Sequence, residues 1–113
     1  MKRFVVTRLQ FEGMHHWPQA PEQCAYLRAP HRHVFHIEAE KEVVEANRSC
    51  EFISLKHALE ELLAAKFPMN ETYGFHDLGD WSCEQVAEYL HQHLSLKRCV
   101  VFEDGENGGG FES

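Results

Sequence analysis

The chain has 113 residues, 43% hydrophobic and 12% aromatic, which suits one domain with one core and argues against global disorder. A formal charge of −7 excludes a surface built to neutralise phosphate backbones, so nucleic acid is not the expected partner, although one small anionic ligand remains compatible. No apolar N-terminal segment resembles a signal peptide and no run approaches membrane-spanning length, so the expectation is a protein of the reducing cytoplasm with no membrane partner.

Residues 4–12, "FVVTRLQFE", alternate after Val5: Val5, Leu9 and Phe11 face one way and Arg8, Gln10 and Glu12 the other, the pattern of a half-buried strand. Residues 17–30 hold three of the four prolines and predict an irregular loop. Residues 31–44 predict a second, long strand. On it His31, His33, Phe35, Ile37 and Ala39 share one face, and Arg32, Val34, His36, Glu38 and Glu40 the other. The period then changes: Ile53, Leu55, Leu59, Leu62, Leu63 and Phe67 recur at helical spacing, stopping before Pro68. Ser82 followed by Gln85 fits a capping box that opens a second amphipathic helix at "CEQVAEYLHQHL". "KRCVVFE" predicts a short strand, and the tail 105–113 is too glycine-rich to hold one shape unaided. A single domain over 1–113 follows, of α+β class, with helices on one face of an antiparallel sheet.

Cys24, Cys50, Cys83 and Cys99 lie far apart without a CxxC pair, so they do not read as a zinc ribbon, and their even number is weak support for disulfides. Nine histidines are well above ordinary usage. His31 and His33, at i and i+2 on a strand, point the same way, close enough to share one ion. If the first strand runs on through "FEGMHH", His15 joins the Phe11 and Gly13 face, the apolar one that His31 and His33 also occupy. Three neutral imidazoles with one open position form the arrangement of a catalytic zinc. His16, adjacent to His15, is the reserve ligand. His36 faces the opposite way, and His57, His91 and His93 are expected to be solvated. The H-x-H followed by Glu38 also matches the first motif of the cupins, which bind iron or manganese. On a regular strand, however, Glu38 faces away from the histidines, and the second cupin motif is missing.

"FEGMHHWPQAPE" followed by "HRH" at the start of a long strand resembles the 6-pyruvoyltetrahydropterin and 6-carboxytetrahydropterin synthase family, whose pattern is F-x-x-x-H, a proline-bearing loop, then H-G-H. "EFISLK" resembles the start of that family's first helix, "WSCEQVAEYL" the opening of its second, and "CVVFED" its last strand, in the same order along nearly the whole chain. The resemblance implies the tunnelling fold, a four-stranded antiparallel sheet with two helices on one face, assembled through trimers that close a barrel and pair into hexamers. It implies zinc held by His15, His31 and His33, and a subunit-interface pocket for 7,8-dihydroneopterin triphosphate. Glu103 matches the pterin anchor, where a carboxylate accepts two parallel N–H bonds from the ring edge. Leu27 stands where the family carries its cysteine base, and Arg32 replaces the middle glycine of H-G-H. Cys24 is then the first candidate base, with Glu22 and His76 in reserve. His76 and Asp77 stand in reversed order relative to the family's Asp-His pair. The implied activity is a zinc-dependent lyase making a 6-substituted pterin, on the route to a deazaguanine nucleoside such as queuosine. The rival expectation is a relative that keeps metal and ring pocket and binds a pterin or purine without the lyase chemistry.

Overall fold

The computed structural model describes residues 2–113. β1 (Arg3–His15) and β2 (His31–Val43) form a long antiparallel pair, joined by a segment whose middle is a 3-10 helix, Glu22–Arg28. α1 (Phe52–Lys66), β3 (His76–Asp77), α2 (Cys83–Leu94), β4 (Arg98–Glu103) and β5 (Asn107–Glu112) follow. The sheet has the order β3-β1-β2-β4-β5. The α+β class is as expected, but the sheet is five-stranded and mixed, because β3 runs parallel to β1 through Gly13 and Met14.

Two departures from the sequence expectations have physical causes. The two-residue β3 is too short for any periodicity to announce it, and it is held by long-range pairing, with Asp77 N donating to Pro68 O and Leu78 N to Met14 O. The glycine-rich tail is not shapeless: most of it forms β5, paired with β4 from Arg98↔Glu112 to Glu103↔Asn107. Asp104 and Gly105 take positive φ values of 55° and 72° at the turn, a backbone that lets the chain double back at once. Glycine is also a packing requirement here. A Cβ on Gly110 would lie 2.8 Å from the Cys99 carbonyl oxygen of β4, whereas one on Gly109 would meet only the Glu84 side chain of α2, which can turn aside.

Alternation then builds the core. Val5, Leu9 and Phe11 of β1, Phe35, Ile37 and Ala39 of β2 and Cys99 and Val101 of β4 turn to one face, where Leu55, Leu59 and Leu63 of α1 and Val86, Ala87 and Leu90 of α2 meet them. Glu51 caps α1 by accepting from Ser54 N, and Ser82 with Gln85 forms the expected reciprocal capping box on α2. The opposite face of the sheet is charged. Arg8 reaches Glu38 at 2.7 Å, and Arg98 lies 3.2 to 3.4 Å from Glu38, Glu40 and Glu112. All four cysteines are free. Among the described residues no helix is long and apolar enough to cross a membrane.

Candidate metal centre

The register of three strands gathers the site. β1 continues to His15, which pairs directly with His31, while Gly13 pairs with His33. Residues opposite one another in an antiparallel pair share a face, so the three histidines expected as ligands lie together on the helix-covered side. Glu103 arrives from the other flank, opposite Phe35 and one step along that face from His33. Gly13 is part of the construction: a Cβ there would stand 2.9 Å from Leu78 and 3.0 Å from Phe35. The imidazole rings sit 4.6 to 5.5 Å apart, centre to centre. One potential ligand atom from each of His15, His31, His33 and Glu103 lies within 4.8 Å of all the others.

Each imidazole has one nitrogen already committed. His15 Nδ1 lies 2.9 Å from Trp81 O, His31 Nδ1 2.9 Å from Ala29 O, and His33 Nδ1 2.7 Å from Asp104 Oδ2. Carbonyl and carboxylate oxygens only accept, so Nδ1 donates in all three rings. In the neutral ring Nε2 then carries the free lone pair, the tautomer a metal requires. Nε2 of His15 and of His33 are buried without a hydrogen-bond partner. Glu103 Oε2 comes within 2.8 Å of His15 Nε2 and 3.7 Å of His33 Nε2, a close approach of charge that lacks hydrogen-bond direction. Orphaned imidazole nitrogens, fixed tautomers and a carboxylate fit a divalent ion that takes mixed nitrogen and oxygen donors. The donor atoms, all within 4.8 Å and with one pair at 2.8 Å, bracket the roughly 3.4 Å spacing that bonds of about 2.0–2.2 Å set in a tetrahedron.

The electrostatics pull in two directions, favouring a proton at His15 and the neutral ring at His31. Burial works against protonation of His15, but contact with Glu103, the Trp81 carbonyl and the Glu103 charge together raise its pKa. Burial lowers His31, aided by the two neighbouring histidines. Glu103 is lowered, chiefly by His15, against the effect of its own burial. Asp104 is lowered by its bond to His33 and by Val34 N, which donates to its other oxygen.

A cavity of about 440 Å³ opens beside the cluster, walled by His15, His31, Glu103, Trp81, Cys83 and Leu27, among others. Cys83 is held as a neutral thiol: burial first, then the charges of Glu103 and Glu84, push it up to about 12. Leu27, where the resemblance leads one to expect a cysteine base, lines this cavity, whereas Cys24 and Glu22 do not. Cys24 sits at a kink of the 3-10 helix and Glu22 is exposed, paired with Arg28 at 3.1 Å. His76 lies in β3 with Nδ1 2.7 Å from Phe67 O and its ring edge-on to Phe11, while Asp77 accepts from Gly79 N. His16 lines the cavity but stays outside the four-donor cluster.

Sequence reading missed Trp81, Cys83 and Asp104. The signal for Asp104 was present, since Asp-Gly after a strand marks a tight hairpin. His91, expected to be solvated, is half-buried against Phe111 and lies 3.0 Å from Ser113 Oγ, a consequence of β5. His57 and His93 are exposed as expected. No protein-family model matches this chain, and no curated protein matches it.

Proposed function

We propose that the chain is a zinc-dependent pterin lyase of the tunnelling fold, acting on 7,8-dihydroneopterin triphosphate in the manner of the 6-carboxytetrahydropterin synthases. The observation that carries this reading is the set of three Nδ1 bonds, to Trp81, Ala29 and Asp104, which leave three Nε2 atoms gathered with Glu103, while His15, His31 and Glu103 also line a ligand-sized cavity. Zinc bound by His15, His31 and His33 supplies Lewis acidity toward the oxygens of the substrate side chain. Glu103 holds the ring by its N–H edge, and Trp81 and Leu27 provide apolar wall. Cys24, Glu22 or His76 moves the protons, and the chains assemble as trimers or hexamers whose sheets close a barrel.

The second reading, a pterin- or purine-binding protein without lyase chemistry, is favoured by one observation. The three candidate bases lie off the wall of the cavity, and the position that faces it carries Leu27. Zinc content of the purified protein, native mass and product chromatography after incubation with dihydroneopterin triphosphate decide between them. Turnover with bound zinc supports the lyase. Zinc and ring binding without turnover support the second reading, and a purified chain that takes up no zinc defeats both.

A further inference from the structure

We infer that Glu103 is itself the fourth ligand of the resting metal centre, and that it leaves the metal when a planar N–H ring enters the cavity; the inference rests on the metal-dependent ring-binding site proposed above. Two facts place one carboxylate between two claims. It stands 2.8 Å from His15 Nε2 and 3.7 Å from His33 Nε2, and it also lines the cavity.

Among the described residues nothing else holds this side chain. The only ion-pair contacts of Glu103 among the described residues are those two imidazoles, and no lysine or arginine stands within 4.0 Å. The Nδ1 bonds direct the Nε2 lone pairs of neutral His15, His31 and His33 into the same small volume as the carboxylate oxygen. Such lone pairs repel unless a positive centre lies among them, and the separations suit a proton or a divalent ion. With an ion there, Glu103 would be the fourth donor beside His15, His31 and His33 and would fill the position that a catalytic site keeps open. Asp104 acts on the far side of His33, so adjacent carboxylates serve opposite ends of one arrangement: one at the metal, one at an outer nitrogen.

A ring edge with two parallel N–H donors needs both oxygens of Glu103, and metal ligation occupies one. The two ligands therefore compete for a single side chain, and arrival of the ring would free that coordination position. Linkage makes the competition measurable from either side, because each ligand weakens the other by the same factor.

The first test concerns the ligand. Zinc affinity by chelator competition should fall about 100-fold in Glu103→Gln, since loss of an outer partner alone costs about 10–100-fold. Cobalt(II) substituted into the same variant should give an altered visible spectrum. Infrared difference spectra of the wild-type protein on zinc addition should show a carboxylate band moving, a readout that needs no variant to fold. Unchanged affinity and spectrum in the variant, or a silent carboxylate region in the wild type, overturns the assignment. Zinc uptake without carboxylate movement defeats Glu103 alone, whereas no zinc uptake defeats the metal reading beneath it. The second test concerns the exchange. Unsubstituted pterin should bind the zinc-free protein about tenfold more tightly than the zinc-loaded one. Equal or tighter binding to the loaded form overturns the exchange, and binding to neither form overturns it together with the ring pocket, leaving the ligand to its own test.

Discussion

The helix-covered face of the sheet has a middle and an end that obey one alternation but do different work. In the middle, Leu9 pairs with Ile37 and Ile37 with Val101, all at 6% exposure or less beneath α1 and α2. At the end, the same strands place His15 beside His31, His33 beside Gly13, and Glu103 beside Phe35. Phe35 is the boundary. It is fully buried, stacks on Phe11 at 5.3 Å, and presents its ring edgewise to His15 and His33 at 5.3 and 5.7 Å. Where helix cover gives way to an open cavity, aliphatic side chains give way to groups that need lone pairs. The backbone period alone therefore does not distinguish core from site. The distinction lies in what covers each row and what accepts its outer hydrogens.

Removing the boundary should damage both regions, and this is the largest effect expected. Phe35→Ala should cost about 3–5 kcal/mol in denaturant unfolding and weaken zinc binding as well. His31→Ala should separate them: its ring lies at the half-buried end, so the metal-free protein should unfold within about 0.5 kcal/mol of wild type while zinc binding is lost. If His31→Ala destabilised the metal-free protein as much as Phe35→Ala, the end of the face would be core after all.

A finer cut uses Asp104, which is exposed and touches the centre only through His33. Asn tolerates the left-handed backbone at this turn and keeps an acceptor for Val34 N, so Asp104→Asn should fold normally. It should nevertheless lose about 10–100-fold in zinc affinity, because a neutral amide no longer fixes the His33 tautomer by charge. Wild-type affinity in this variant would reduce the His33–Asp104 bond to a turn decoration.

Most of the middle was legible in the sequence, because period 2 in the strands and helical spacing in Leu55, Leu59 and Leu63 report burial directly. The His15, His31 and His33 grouping was legible for the same reason once β1 was extended through Gly13. Its partners were not. Trp81 O lies 66 residues from His15 and Asp104 71 residues from His33, separations that only the β2–β4 pairing and the approach of α2 can close. β5 was lost for an opposite reason. Its glycines looked like freedom, whereas side chains on Gly108 and Gly110 would collide with the backbone of β4. The proton-moving residues stayed unresolved because nothing local says whether Cys24 or Leu27 turns toward a cavity.

The smallest effect expected is a pH dependence belonging to the end of the face alone. In metal-free protein His15 is raised above its ordinary 6.5, so its contribution to stability is complete below 6.5 and fades as pH rises through the folded value. Glu103 is lowered from 4.5, so its contribution is complete above 4.5 and fades as pH falls through the folded value. His31, lowered by burial, has the opposite sign to His15 and subtracts from stability as its ordinary range is crossed downward. The melting temperature of chelator-treated wild type should therefore gain from the His15–Glu103 contact in the window between 4.5 and 6.5, with His31 trimming its acidic side. Glu103→Gln removes the charge that favours the His15 proton and should lose the gain inside that window. Identical profiles for the two proteins across about pH 4 to 9 would show that the 2.8 Å approach carries no coupling. Zinc should move the gain to higher pH in wild type, because the ion binds only as the proton that His15 and Glu103 otherwise share departs.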